Sequence, residues 1–294
     1  MTADRYLKVE QPAATQVSGS GWVCLRCGYN LAGIARDGRC PECGLSVDAS
    51  RPGGEFRTRP EAFLRRLKRG TILVQLSVLA PVILFVLWVI ANVVAGWMLE
   101  DVDDSSGWHA VTDVASEVAA GVVLLGVATL ALVGWWLVTT RDTEASRPEA
   151  GEGSRKATRA GAIALAVGAV FLAALSFVFD LSAVSIGAEA APEEQPLWQF
   201  LTELSLLILF GAGSLTTMIG GALYIHSLGV KMGSRKLMKM ATFRAWFCPA
   251  VGIGGIIACY VGPLVAVILY YRLLLKTHEL LGRVIEMRRV SAAG

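Results

Sequence analysis

The amino-acid sequence predicts an all-α, polytopic membrane helical bundle preceded by a small cysteine-rich module. Three observations predict it: a mean hydropathy of +0.55 with only 17% charged residues, five long apolar stretches, and two closely spaced cysteine pairs near the N-terminus. A soluble domain usually carries about a quarter charged residues, so the apolar excess requires lipid around it. The composition also excludes a disordered chain, a collagen and a disulfide-stapled miniprotein.

Residues 1–20 form a polar N-terminal segment that we expect to be disordered. The segment has no apolar h-region, and we therefore expect no cleavable signal peptide. The first apolar stretch must then act as its own insertion signal.

The next module, residues 21–50, contains two Cys-x2-Cys pairs, Cys24 with Cys27 and Cys40 with Cys43. Two thiolates at this spacing can point at one ion from a tight turn, and two such turns complete a tetrahedron. A glycine follows each pair, which suits a turn that needs positive φ. The sequence therefore predicts a four-cysteine metal site in a zinc ribbon. Two disulfides are the alternative, and a reducing cytoplasm disfavours them.

The four ligands do not by themselves distinguish zinc from iron, because both ions accept four thiolates. The two cysteine turns resemble the knuckles of rubredoxins, which hold iron. The rubredoxin connection between knuckles is much longer and rich in aromatic residues, whereas residues 30–39 here are few and contain no aromatic side chain. Zinc is therefore favoured and iron is the alternative. So small an apolar core needs the ~10–16 kcal/mol that a structural zinc site contributes to folding.

The sequence predicts no catalytic or cofactor-binding residues, and we expect the protein not to be an enzyme. Protein ligands fill all four positions of the predicted metal site, which leaves none for a reactive water. The three histidines form no His-Glu-x-x-His element, and neither Gly-x-Ser-x-Gly nor a phosphate-binding glycine loop occurs.

A family resemblance rests on the run Cys24-Leu25-Arg26-Cys27-Gly28-Tyr29-Asn30-Leu31-Ala32-Gly33, on Gly38-Arg39-Cys40-Pro41-Glu42-Cys43-Gly44, and on the apolar helices that follow. This order resembles the uncharacterised zinc-ribbon, multi-pass membrane proteins of planctomycete-type bacteria. The match is tight over residues 24–44, and beyond them only the order of the parts is similar. The resemblance implies a cytoplasmic zinc ribbon joined to an inner-membrane helical bundle, and it implies no activity.

Residues 51–70 predict a short basic helix next to the membrane. Thr58 and Glu61 have the spacing of a capping box, and the helix would place Phe63, Leu64 and Leu67 opposite several arginines. Such a helix could bind anionic lipid or nucleic acid. The favoured interpretation is a topology determinant that lies on the lipid headgroups.

The transmembrane bundle is predicted over residues 71–275, where each apolar stretch reaches the ~20 residues that cross a ~30 Å hydrocarbon core. Lysine and arginine are frequent before the first stretch and in loops 141–159 and 231–244, and are absent from loops 100–113 and 180–197. This alternation predicts a multi-pass protein of the cell inner membrane with a cytoplasmic N-terminus. The five stretches cover about residues 71–99, 114–140, 160–179, 197–229 and 246–275.

The fifth stretch has two interpretations. A single span is favoured on length, yet it would leave the basic tail, residues 276–294, on the outer side. Alternatively, Gly262-Pro263 breaks the stretch into a re-entrant hairpin that returns the tail to the cytoplasm. The two legs would be too short for full crossings. The side of the tail stays open, and we expect the tail to be an amphipathic interfacial helix or an extension of the last span.

Small residues within the spans predict close contacts between helices. Gly213, Thr217 and Gly221 recur at intervals of four, and Gly161 and Gly168 also share a helix face. Such a face lets two backbones approach each other.

The favoured function is a membrane protein that presents its ribbon to the cytoplasm as a protein-interaction or scaffold module. Its predicted partners are the lipid bilayer and a cytoplasmic protein, and a homo-oligomer is also open. The alternatives are membrane-tethered nucleic-acid binding, an iron-containing redox carrier similar to rubredoxin, and a small-solute transporter. The centres of the spans carry no ionisable side chain, which argues against transport.

Overall fold

The computed structural model describes seven parts of the 294-residue chain, and the predicted N-terminal segment 1–20 lies outside them. These parts are residues 22–50, 53–57, 59–99, 108–140, 151–185, 197–257 and 261–293.

The described residues form a small ribbon, two short 3-10 helices and six α-helices. The ribbon, residues 22–47, is held by two isolated antiparallel bridges and contains no extended strand. The 3-10 helices are Asp48–Ser50 and Gly54–Arg57, and we call residues 53–57, which contain the second, the strap. The α-helices are α1 (Glu61–Leu99), α2 (Trp108–Val138), α3 (Glu152–Ser185), α4 (Leu197–Lys231), α5 (Arg235–Ile257) and α6 (Val261–Ala293).

The six helices follow one another around a ring. Each helix packs mainly against its neighbour in the sequence, and α6 closes the ring against α1. We call the end of the ring where α1 begins the ribbon side, because the ribbon and the strap lie there.

Within the residues that the structure describes, four helical segments are long and apolar enough to cross a membrane. They correspond to the first four predicted stretches, which confirms a helical bundle of membrane type. Large apolar side chains on these helices face outward, with Phe85 at 63% and Trp88 at 54% exposure. Lipid would cover them. The four segments are Glu61–Ala91, Val118–Val138, Glu152–Leu175 and Phe200–Lys231.

The favoured single fifth span is not what the structure has, because residues 246–257 belong to α5 and residues 261–275 belong to α6. α5 and α6 pack side by side as a hairpin, with a Cβ atom on Gly252 lying 3.8 Å from the Cβ atom of Ala266. The apolar legs, residues 245–257 and 261–271, each rise no more than about 20 Å at ~1.5 Å per residue. This is less than the ~30 Å of a hydrocarbon core. The length of the apolar run favoured one helix. Pro263 is compatible with two helices, because proline is tolerated in the first turn of a new helix.

The tail is a continuation of α6, which lies along the first turns of α1. Arg289 Nε donates a hydrogen bond to Glu61 Oε1 at 3.0 Å, and Lys68 Nζ would lie 3.6 Å from a Cβ atom on Gly282. The tail therefore ends on the ribbon side. Its apolar face joins the core of the bundle, where the fully buried side chains include Leu64, Leu67, Leu273, Leu274 and Leu281.

The predicted juxtamembrane helix is part of α1. α1 begins at Glu61 and continues without a break into the membrane segment. Thr58, the other half of the predicted capping box, lies outside the described residues. Glu61 instead pairs with Arg65 at 2.9 Å and with Arg289, so its carboxylate links α1 to α6.

The predicted close contact of small residues is confirmed between α3 and α4. A Cβ atom on Gly161 would lie 2.6 Å from the backbone nitrogen of Thr217, and one on Gly213 would lie 2.7 Å from that of Leu165. The two backbones touch because neither glycine carries a side chain. Gly211 lies on the same helix as Gly213, yet no atom of the described chain comes within 4 Å of its Cβ position.

Gly213 and Gly211 therefore make a matched pair for mutation. We expect Gly213→Ala to destabilise the bundle by about 1–3 kcal/mol, because the methyl group forces α3 and α4 apart. We expect Gly211→Ala to be neutral or to stabilise by up to about 1 kcal/mol through helix propensity. Unfolding in mixed detergent micelles, followed by circular dichroism, measures both changes. Equal effects of the two substitutions would contradict the close contact.

Candidate metal centre

The first cysteine turn is a tight knuckle built from backbone hydrogen bonds. The amide of Gly28 donates to the carbonyl of Cys24 at 2.9 Å, and the amide of Cys24 donates to the carbonyl of Tyr29 at 2.7 Å. Gly28 has a φ of 84°, a conformation that side chains disfavour. The turn directs the Cys24 and Cys27 side chains to the same side of the module.

The second cysteine turn repeats the first, sixteen positions later. The amide of Gly44 donates to the carbonyl of Cys40 at 2.9 Å, and the amide of Cys40 donates to the carbonyl of Leu45 at 2.8 Å. Gly44 has a φ of 72°. The bridge between Arg39 and Ser46 likewise repeats the bridge between Val23 and Asn30. This short repeat was not among the predictions from sequence, although the equal spacing of cysteine and glycine in the two turns indicated it.

The two knuckles bring all four predicted ligands together. Cys24 Sγ lies 3.4 Å from Cys43 Sγ, and Cys27 Sγ lies 3.5 Å from Cys40 Sγ. All four sulfur atoms lie within 4.8 Å of one another. A tetrahedron with metal–sulfur bonds of ~2.3 Å has edges of about 3.8 Å, so one ion fits between them. The four thiols are free, which argues against the disulfide alternative.

The crowded sulfur atoms have unusual acidity. Burial raises the pKa of Cys24, but hydrogen bonds from the amides of Cys27 and Arg26 and from neighbouring thiols lower it to about 6. The Tyr29 amide lowers the pKa of Cys27, but desolvation and the neighbouring sulfurs raise it to about 12. The two pKa shifts lie in opposite directions, so the cluster gives up one proton readily and holds another tightly. Metal binding must release that proton, so metal affinity falls as the pH falls.

A small apolar cluster lies behind the sulfur atoms. Leu31 and Val47 are fully buried against Cys24 and Cys40. They occupy equivalent positions: the Leu31 amide donates to the Trp22 carbonyl at 2.8 Å, and the Val47 amide donates to the Gly38 carbonyl at 3.0 Å. Besides Leu31 and Val47, only Leu25 is a buried aliphatic residue of the ribbon, and Trp22, Ile34 and Leu45 are partly buried. This apolar core is too small to hold the module by itself, so a bound ion would supply much of its folding free energy.

The first knuckle is docked on the helical bundle. Arg235, the first residue of α5, donates from Nε to the carbonyl oxygen of Leu25 at 3.2 Å. A Cβ atom on Gly28 would lie 3.0 Å from Arg235 Nη2. The Leu25 amide donates to Ser50 Oγ at 3.2 Å, which ties the knuckle to the first 3-10 helix. The sequence analysis did not predict this contact between distant parts of the chain.

The strap fastens the ribbon to the turn between α4 and α5. The Gly53 amide donates to the Met232 carbonyl at 3.1 Å, and Gly54 lies directly against the Lys231 carbonyl. Phe56 is buried in the core of the bundle and contacts Phe63 edge to face at 6.2 Å. The ribbon therefore ends a few residues before a segment that is anchored in the bundle.

No family model, no curated protein and no solved structure gives a significant match to the chain. The family resemblance of the cysteine motif therefore stays a prediction.

The purified protein is expected to hold one metal ion per chain and to lose it on acidification to about pH 5, since protons compete with the ion for the thiolates. Cys40→Ser should abolish this binding. Cys248→Ala is the matched control, because Cys248 is buried in α5, away from the ribbon. Elemental analysis after dialysis measures the metal content. Retention of a full equivalent by Cys40→Ser would contradict the four-ligand site.

Proposed function

We propose that the chain is a multi-pass protein of the cell inner membrane whose N-terminal ribbon binds zinc and serves as a cytoplasmic docking module for another protein. The observation that carries the proposal is the closed group of four cysteine sulfur atoms, in a ribbon that contacts the start of α5. Within the described residues, the same chain has four helical segments that are apolar enough to cross a membrane.

A docking role is supported by the closed coordination of the site. Four protein ligands fill a tetrahedral ion, and a structural site of this kind keeps no position for substrate or water. The second knuckle, in addition, is largely exposed: Pro41, Glu42 and Gly44 all face solvent. A rigid, exposed loop on a metal-stabilised module is suited to protein contact.

Zinc is supported over iron by the surroundings of the sulfur atoms. Cys27 is exposed, and Tyr29 beside it is 40% exposed. An iron centre for electron transfer is usually shielded by apolar side chains, and the reduction potential depends on that shield. A visible absorption spectrum distinguishes the two ions, because ferric thiolate is coloured and zinc is colourless.

The cytoplasmic side is supported by charge. On the ribbon side, α1 begins with Arg65, Arg66, Lys68 and Arg69, α5 begins with Arg235 and Lys236, and the end of α6 carries Arg283, Arg288 and Arg289. Basic residues that flank membrane helices stay in the cytoplasm. Free cysteines at the same end fit a reducing compartment.

This topology predicts that both ends of the chain are cytoplasmic. Reporter enzymes fused before Met1 and after Gly294 should both give a cytoplasmic signal, because α6 returns to the ribbon side. A fusion within the acidic loop 186–196 should give an external signal and serves as the control. An external signal from the C-terminal fusion would contradict the hairpin of α5 and α6.

The docking role predicts protein partners that depend on the ribbon. After mild detergent extraction, we expect native protein and Cys248→Ala to co-purify the same protein, and Cys40→Ser to lose it although it still inserts into the membrane. Quantitative mass spectrometry of the captured proteins measures the difference. Identical partners from all three forms would overturn the proposal. Captured nucleic acid whose binding falls steeply with salt would support the nucleic-acid alternative instead.

A further inference from the structure

The docked first knuckle shows what such a turn can bind. The Leu25 carbonyl points outward and accepts a hydrogen bond from Arg235 Nε at 3.2 Å. The guanidinium group lies against Gly28, with Nη2 and Nη1 at 3.0 and 3.3 Å from the Cβ position. A side chain at this glycine would force the guanidinium group to shift. The first knuckle thus offers a carbonyl oxygen that accepts a hydrogen bond and, beside it, a glycine without a side chain. Arg235 contacts both.

The second knuckle has the same two elements. Pro41 and Gly44 lie sixteen positions after Leu25 and Gly28, and the backbone hydrogen bonds of the two turns match. Among the described residues, no atom comes within 4 Å of the Cβ position of Gly44. Pro41 is exposed as well. The second knuckle therefore presents to solvent the surface with which the first knuckle binds Arg235.

The charge around the second knuckle suits a cation better than that around the first. Glu42 is exposed at the position equivalent to Arg26, so a carboxylate replaces a guanidinium beside the carbonyl. Four thiolates around a divalent ion add a net charge of about −2 to the module. Arg26 Nη1 itself lies 3.5 Å from the Cys43 carbonyl, at the edge of this knuckle. Arg26 therefore lies close to both knuckles. The first knuckle binds Arg235 in spite of Arg26, and the second knuckle has the carboxylate of Glu42 to offset the charge of Arg26.

We propose that the second knuckle binds an arginine side chain of the partner protein, in the way that the first knuckle binds Arg235. This inference rests on the proposed docking function and names the chemistry of the partner: an arginine at an exposed helix start or turn, with few acidic neighbours. Arginine is preferred to lysine because its planar group can donate to a carbonyl while its face lies on a glycine. Hydrogen bonds from a charged donor are also stronger than neutral ones.

The start of α5 provides a peptide probe, because its Arg235 already binds the first knuckle. A synthetic peptide of residues 233–242, with a photoreactive methionine in place of Met238, is mixed with the full-length, metal-loaded protein in lipid nanodiscs. Mass spectrometry then maps the crosslinks. We expect them in residues 39–46. The yield there should fall by about tenfold with an Arg235→Gln peptide, the factor expected for one charge-assisted hydrogen bond. An Arg235→Lys peptide should give an intermediate yield.

Protein variants locate the site. Glu42→Arg should lower the crosslink yield by about tenfold and Glu42→Gln by less. Asp37→Arg makes the same charge change in the exposed turn between the knuckles and should leave the yield unchanged. The metal content of each variant is measured in parallel, and Glu42→Gln keeps the test decisive if Glu42→Arg loses metal.

Two results would overturn the inference: equal yields with the arginine and glutamine peptides, or crosslinks confined to residues 24–29. Either result leaves the proposed function standing if partner capture still depends on the ribbon. Conversely, arginine-dependent crosslinks at residues 39–46 without ribbon-dependent partners would support the arginine site and contradict the docking function.

Discussion

Four cysteine thiols packed within 4.8 Å of one another are the constraint on which the N-terminal ribbon of this structure depends. As thiolates they repel one another, and as thiols they bring almost no stability to a module whose apolar cluster centres on Leu31 and Val47. A bound cation removes the repulsion and joins the two knuckles, so folding of the ribbon is linked to the ion. The knuckle carbonyls keep their orientation only in the folded ribbon. The contact between Leu25 and Arg235 is consequently linked to the same ion.

The helical bundle depends on a different constraint, the close approach of backbones. α3 and α4 touch at Gly161 and Gly213, where hydrogen atoms replace side chains. In lipid the hydrophobic effect does not drive helices together, so such contacts are a main source of specificity. At the ribbon side, where water is present, burial of apolar side chains stabilises the bundle. The ion pair between Glu61 and Arg289 joins α1 to α6 there. The ring is thus held by packing within the membrane segments and by a soluble-type core at one end.

The parts of this structure that sequence could predict are those set by local spacing. The metal ligands follow from two short cysteine turns, and the first four helices follow from the length of their apolar stretches. The hairpin of α5 and α6 was not the favoured interpretation, because a continuous apolar run has the length of one span and only Pro263 suggests a break. The docking of Leu25 on Arg235 could not be predicted, since 210 positions separate them and no pattern links a knuckle carbonyl to a distant helix start.

The burial of Phe56 limits how far the ribbon can travel. Phe56 is buried in the core of the bundle, and six peptide units separate it from Ser50, the last residue of the 3-10 helix that follows the ribbon. A fully stretched segment of this length reaches about 20 Å. A ribbon that has lost its ion therefore stays tethered near Arg235. Its effective concentration at the start of α5 is in the millimolar range. When the ribbon takes up an ion again, its return to Arg235 is an intramolecular event. The rate of that return does not depend on the number of protein molecules in the membrane.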